Sequence, residues 1–102
     1  MAHIAKFVLL HLKPERKAEF MELIEANRTH VKNEEPGALS WTLHEVTGSP
    51  DSIAMYETYE SEDASDEHDR SPALAPVLAA LPDVLSGAPT IISMTVDRYL
   101  ED

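Results

Sequence analysis

The chain has 102 residues and no cysteine, and its formal net charge is −11 at pH 7. A hydrophobic fraction of 43% is typical of a folded domain rather than a disordered chain. Without cysteine there is no disulfide, thiolate metal site or cysteine nucleophile. The negative charge repels phosphate backbones and anionic lipids, so we expect neither nucleic acid nor membrane as a partner. The length fits a single domain over residues 1–102.

The N-terminal apolar run is short. It covers residues 7–10 and is followed by His11 and Lys13, so it is too short for a signal peptide or a membrane span. We therefore expect a cytoplasmic location, which the lack of cysteine also fits.

The first half of the chain predicts a strand, a helix and a second strand. Residues 3–12 are mostly apolar, as in a strand covered on both faces. Pro14 suits the first turn of a helix, which we expect to run for about 17 residues. Glu35, Pro36 and Gly37 end that helix, and residues 38–46 alternate as a strand does. The predicted apolar stripe of the helix comprises Ala18, Met21, Leu23, Ile24 and Val31.

The second half predicts a hairpin, two helices and a last strand. A turn at residues 48–51 precedes a returning strand at 53–59. Ser61 suits the N-cap of an acidic helix over 61–70. A further helix at 73–85 and a strand at 91–99 complete the order βαββααβ. This order predicts an α+β fold of the ferredoxin-like kind, with a four-stranded antiparallel sheet and helices on one face.

Three motifs carry a resemblance to a known family. Residues 35–41 (EPGALSW) resemble E-P-G-C-L-x-Y, and residues 53–59 (IAMYETY) resemble F-x-x-x-E-x-W. Residues 61–73 resemble S-x-x-A-x-x-x-H-x-x-S-P-H. The chain thus resembles the antibiotic biosynthesis monooxygenase family, whose small dimeric α/β-barrels include quinol monooxygenases and polyketide-anthrone oxygenases. The chain departs from the pattern at Ala38, Tyr59 and Ala73, where the family has cysteine, tryptophan and a second histidine.

The resemblance implies a homodimer and a cofactor-independent monooxygenase that oxidises a phenolic, quinol or polyketide-type aromatic substrate with O2. Two other functions stay open because one fold hosts many activities. The first is a cofactor-free isomerase of a small keto metabolite, which a polar pocket would favour. The second is a non-catalytic small-molecule-binding domain, which the missing second histidine would favour.

His68 is the first candidate for a catalytic residue. It lies four residues after Ala64, on the one stripe of an acidic helix that carries no acid, so it should face the protein. An imidazole there can act as a general base or hold a phenolate. The alternative is a histidine that only bonds to the backbone where the helix meets the sheet.

Glu57 is the second catalytic candidate, since a carboxylate in mid-strand needs a partner. A hairpin that pivots near residue 49 would put Trp41 opposite Glu57 and Leu39 opposite Tyr59. Trp41 and Tyr59 would then line a pocket for a flat ring, with His11 as a further substrate-binding candidate. The alternatives are a structural carboxylate and ordinary core aromatics. His3 and His30 are expected at the surface.

No metal or organic cofactor is expected. The five histidines are 8, 19, 14 and 24 residues apart, without the close pairs typical of metal sites. The chain has no glycine-rich phosphate loop. Haem-degrading relatives use a helix tryptophan and a downstream histidine, and the matching positions here resemble His68 and Leu78, so the resemblance implies that the haem ligand is missing.

Overall fold

The computed structural model describes residues 3–100 and has the predicted order of strands and helices. One antiparallel sheet has the strand order β2-β3-β1-β4, which makes this an α+β, ferredoxin-like fold. A short 3-10 turn (Pro14–Arg16) precedes the first helix. The elements are β1 (Ile4–His11), α1 (Lys17–Glu34), β2 (Ala38–Val46), β3 (Ser49–Tyr59), α2 (Glu62–Arg70), α3 (Ala75–Val84) and β4 (Thr90–Thr95).

The core lies between the helices and one face of the sheet, which we call the inner face. Successive strand residues point to opposite faces, so Leu10, Ile53 and Met55 share this side. Side chains of α1 and α3 pack against them, and the cluster comprises Leu10, Leu12, Phe20, Ile24, Ile53, Met55, Val77 and Val84. No helix within residues 3–100 is both long and apolar enough to cross a membrane.

The buried stripe of helix α1 overlaps the predicted one only in part. Its buried residues are Phe20, Ile24, Asn27 and Val31, whereas Ala18 is exposed. The spacing of four, three and four residues keeps one helix face on the sheet, and Ala18 lies outside that face. The apolar pattern missed Asn27, because an amide is not expected at a buried helical position.

The β2–β3 hairpin is tighter than predicted. β3 begins at Ser49, and Val46 pairs with Ser49 around a turn in which Gly48 has a φ of 80°. This left-handed conformation suits glycine. Trp41 lies opposite Glu57, as predicted. Ala38 rather than Leu39 faces Tyr59, because the pairing shifts register between Ala38 and Ser40.

The last two elements are shorter than predicted. Helix α3 begins at Ala75, two residues later than expected. Strand β4 ends at Thr95 rather than at residue 99. It lies at the edge of the sheet beside β1, and Thr95 already pairs with Ile4, the first residue of β1. Strand β1 therefore offers no partner to the residues after Thr95, although the apolar pattern of the sequence continues.

Helix α2 is held close to the end of α1. The Ser61 side chain caps α2 by accepting a hydrogen bond from the Ala64 backbone N–H at 3.1 Å. The Glu60 N–H donates to the Gly37 carbonyl at 2.9 Å. A Cβ at Gly37 would lie 2.6 Å from the Ala64 Cβ, so only glycine permits this approach.

We therefore expect Gly37→Ala to lower the free energy of unfolding by about 1–3 kcal/mol, because the added methyl overlaps Ala64. Gly87→Ala is the matched control, since a Cβ there meets nothing within 4 Å. Its effect should stay within about 0.5 kcal/mol. Urea unfolding of both variants measures the difference, and equal stabilities would contradict this account of Gly37.

Candidate functional site

A cavity of about 320 Å³ lies between the inner face of the sheet and the three helices. Ten of its fifteen lining residues are apolar, so it suits a largely apolar ligand. Leu78 and Ile91, both at least half exposed, form part of its rim. The polar lining residues are Lys6, Asn27, Glu57, His68 and Asp69.

His68 lies in the cavity wall between two carboxylates. The ring is 3% exposed, and Nδ1 lies 2.8 Å from Glu35 Oε1. On the other side, Nε2 lies 3.7 Å from Glu57 Oε1. A carboxylate can only accept a hydrogen bond, so Nδ1–H donates to Glu35. In the neutral imidazole, Nε2 then carries the lone pair. This is the arrangement of an oriented general base.

Glu35 is not among the site residues predicted from the sequence, where it is part of the helix-stop signal and of the 35–41 motif. It is the residue after α1, and Pro36 holds it outside the helical conformation, with φ −121° and ψ 77°. Its side chain is 12% exposed, and its Oε2 lies 3.4 Å from His30 Nε2, without hydrogen-bond geometry. His30 is thus not a free surface residue. The signal available in the sequence was the acid that precedes Pro36-Gly37.

Tyr59 holds Glu57. Its hydroxyl donates to Glu57 Oε1 at 2.5 Å, and its ring lies 5.5 Å from the ring of His68. Tyr59 is completely buried and lies outside the cavity wall, so it does not line the pocket as expected from the sequence. It lies two residues beyond Glu57 on the same strand face, behind α2. Burial and the nearby Glu57 charge raise the pKa of the Tyr59 phenol well above its usual range, so it remains a donor.

A salt bridge covers the polar end of the cavity. Lys6 pairs with Glu57 across the β1–β3 ladder, and its ammonium donates to both carboxylate oxygens of Asp69 at 2.7 and 2.8 Å. The ammonium also lies 5.7 Å from the centre of the Tyr59 ring. The Lys6 side chain is 12% exposed and that of Asp69 is 52% exposed, so the salt bridge lies where the cavity meets the solvent. No sequence pattern had suggested Lys6 as part of the site.

The remaining two candidates lie in different places. Trp41 lines the cavity, beside its strand partner Glu57. His11 is not in the cavity wall. Its Nδ1 is within 2.7 Å of Ser52 Oγ, its partner on β3, and alternation along β1 puts it on the sheet face opposite Leu10. The structure therefore assembles His68, Glu57 and Trp41 and leaves out His11.

Within residues 3–100, no group of three or more His, Asp or Glu side chains is positioned to hold a metal ion. The polar cluster consists instead of carboxylates that accept hydrogen bonds from Tyr59, Lys6 and His68. Such a cluster can hold and move a proton at the wall of an apolar cavity.

The family model described as antibiotic biosynthesis monooxygenase matches residues 4–79. This is most of the chain, so the protein belongs to the antibiotic biosynthesis monooxygenase family. The matched segment runs from β1 to the first half of α3 and contains the Glu35–His68–Glu57 cluster. No protein of curated function matches the sequence significantly.

Solved structures share the fold along nearly the whole chain. A Caulobacter crescentus protein, provisionally named an antibiotic biosynthesis monooxygenase, is 26% identical, with a TM-score of 0.88 over 95% of this chain and 92% of its own. A Mycobacterium tuberculosis protein is 21% identical, with a TM-score of 0.87 over 96% and 98%. A conserved Methanosarcina mazei protein is 23% identical, with a TM-score of 0.84 over 92% of each chain. At 21% and 23% identity, the last two structures show only that the fold is shared.

The raised pKa of Tyr59 predicts a loss of stability at alkaline pH. Above the unfolded-state value of about 10, the unfolded chain releases the phenol proton and the folded chain keeps it. The Tyr59 contribution is therefore complete below pH 10 and falls by about 1.4 kcal/mol for each pH unit above it. Tyr59→Phe removes the phenol proton and with it this pH dependence. Between pH 8 and pH 11, the variant should lose about 1.4 kcal/mol less unfolding free energy than the wild type in urea titrations. Parallel pH profiles would contradict the assignment.

Proposed function

We propose that the protein is a cofactor-independent monooxygenase that oxidises a phenolic, quinol or polyketide-type aromatic substrate with O2. The observation that carries the proposal is the position of His68, whose ring lines an apolar cavity while its Nδ1–H donates to Glu35. Membership of the family and the 26% identity to the Caulobacter protein support the reaction class.

In the proposed reaction His68 starts the chemistry by taking a proton. An electron-rich ring that loses its hydroxyl proton, or an acidic ring C–H, gives an anion that can transfer electrons to O2. For an anthrone the overall balance is simple: the ring CH2 and O2 give a ring C=O and water. Both imidazolium N–H groups would then have a carboxylate nearby, Glu35 at Nδ1 and Glu57 at Nε2.

The cavity supports an aromatic rather than a polar substrate. Trp41 lines the cavity beside its strand partner Glu57, and α3 contributes aliphatic side chains to the wall. Excluding water would protect a reactive anion from reprotonation. A polar pocket was the feature that would favour a keto-metabolite isomerase, and this cavity lacks it, since ten of its fifteen lining residues are apolar.

Oxygen uptake by chelator-treated protein on a panel of hydroquinones and anthrones tests the proposal. We expect turnover in the wild type and a loss of about 10²–10⁴-fold in His68→Asn, because the general base is removed. Glu35→Gln should also slow turnover, since an amide can donate to Nδ1 and favour the other tautomer of His68.

His44→Asn is the matched control. His44 lies on the opposite face of β2 from Trp41, where its Nδ1 is within 3.1 Å of the Ala54 carbonyl. It should keep wild-type turnover. If no panel compound is consumed above the uncatalysed rate, the monooxygenase proposal fails and a non-catalytic binding domain becomes the better account. Equal losses in both histidine variants would remove His68 from the mechanism.

We also propose that the chain works as a homodimer through the outer face of its sheet. This face carries apolar side chains that no helix within residues 3–100 covers, and Tyr56, Ile92 and Met94 are each at least 40% exposed. Phe7 pairs with Tyr56 on one side and with Ile92 on the other, so the apolar side chains are contiguous. A contiguous apolar face is typical of a protein interface.

Ile92→Lys should therefore shift a dimer towards the monomer, because it puts a charge into the apolar face. The adjacent Ile91→Lys is the control, since Ile91 points to the inner face and lines the cavity rim. Sedimentation equilibrium at micromolar concentration should give twice the single-chain mass for the wild type and for Ile91→Lys. A monomeric wild type would contradict the dimer proposal.

A further inference from the structure

Asn27 is a polar side chain in an apolar position. It lies on α1 within the stripe that also contains Ile24 and Val31, and it is 2% exposed. The side chain lines the cavity, and its Nδ2 has no hydrogen-bond partner among residues 3–100. A buried amide without a partner is destabilising, and such groups are rare in folded proteins. Leucine would fit the stripe without this cost.

We propose that Asn27 binds a carbonyl oxygen of the substrate, so that the cavity selects a ring ketone over the same ring without the oxygen. This deepens the proposed function, on which it rests in taking the cavity as the substrate site. The amide N–H is a neutral donor that matches a carbonyl acceptor. A ligand that lacks the oxygen leaves the donor unpaired, which is the basis of strong discrimination by buried polar groups.

Two walls of the cavity then recognise two parts of one substrate. His68, on α2, faces the group that gives up a proton, and Asn27, on α1, faces the carbonyl. The other charged lining groups do not compete for this role, because Lys6 and Asp69 are paired with each other and Glu57 accepts from Tyr59. The substrate class is therefore a largely apolar ring compound with both an acidic proton and a ketone oxygen.

The side-chain amide spectrum offers a direct test. Asn27 and Asn33 are the only asparagines of the chain, which has no glutamine, so a proton–nitrogen correlation spectrum shows two side-chain NH2 groups. Asn33 is exposed and serves as the internal control. The probes are 1-tetralone and tetralin, which share a bicyclic skeleton and differ in the carbonyl oxygen.

We expect 1-tetralone to shift the Asn27 NH2 signals in a saturable manner and to leave those of Asn33 unchanged. Tetralin should shift the backbone amide signals of residues that line the cavity, but it should not produce the same shift of the Asn27 NH2 signals. The wild type should bind 1-tetralone about tenfold more tightly than tetralin, as one hydrogen bond to a buried donor allows. In Asn27→Leu this preference should disappear while tetralin still binds. Asn33→Leu should keep the preference.

Three results would overturn the inference. The first is a ketone preference that persists in Asn27→Leu, and the second is an unmoved Asn27 signal when the cavity amides shift. The third is the absence of any saturable shift with 1-tetralone up to its solubility limit. None of these depends on oxygen uptake, so a chain without oxygenase activity can pass this test and an active oxygenase can fail it. If the role of Asn27 were purely structural, Asn27→Leu would change the stability of the protein and leave its preference for the ketone unchanged.

Discussion

The hydrogen bond from His68 to Glu35 is the interaction on which the site depends. It joins α2 to the residue that follows α1, so it fixes the position of the helix and the tautomer of the ring together. Both groups are largely withdrawn from water, and each needs the other as a partner. Without this bond, Nδ1 rather than Nε2 could present the lone pair, and the cavity would lose its oriented base.

The surrounding structure supports this bond from several directions. Pro36 ends α1 so that Glu35 turns towards α2, and Gly37 lets α2 approach closely enough for contact. On the far side of the ring, Tyr59 donates to Glu57 and keeps that carboxylate in place. The arrangement resembles other sites in which a carboxylate orients an imidazole and a second polar group completes the surroundings. Here the imidazole and the two carboxylates come from three parts of the chain: His68 from α2, Glu35 from the end of α1 and Glu57 from β3.

Much of the fold follows from local sequence patterns, but less of the site does. Alternation along β2 and β3 correctly predicted that Trp41 faces Glu57, because strand geometry repeats every two residues. The acidic pattern of α2 likewise predicted that His68 would be buried. In contrast, the contact of Glu35 with His68 joins residues 33 positions apart, and no local pattern encodes it.

The wrong prediction for Tyr59 and the omission of Asn27 also arise from packing between distant parts of the chain. Tyr59 was expected in the cavity because it shares a strand face with Glu57, yet packing of α2 closes that end of the sheet. Asn27 was missed because apolar periodicity ignores polar residues in a buried stripe. Tertiary contacts, not local propensity, decide which side chains reach a cavity.

The most direct test of this account is the tautomer of His68, measured by nitrogen NMR of the imidazole rings at pH 8. We expect a proton on Nδ1 and none on Nε2, with the Nδ1 signal changed in Glu35→Gln. A proton on Nε2, with or without one on Nδ1, would mean that the lone pair does not face the cavity, and His68 could not act as the base.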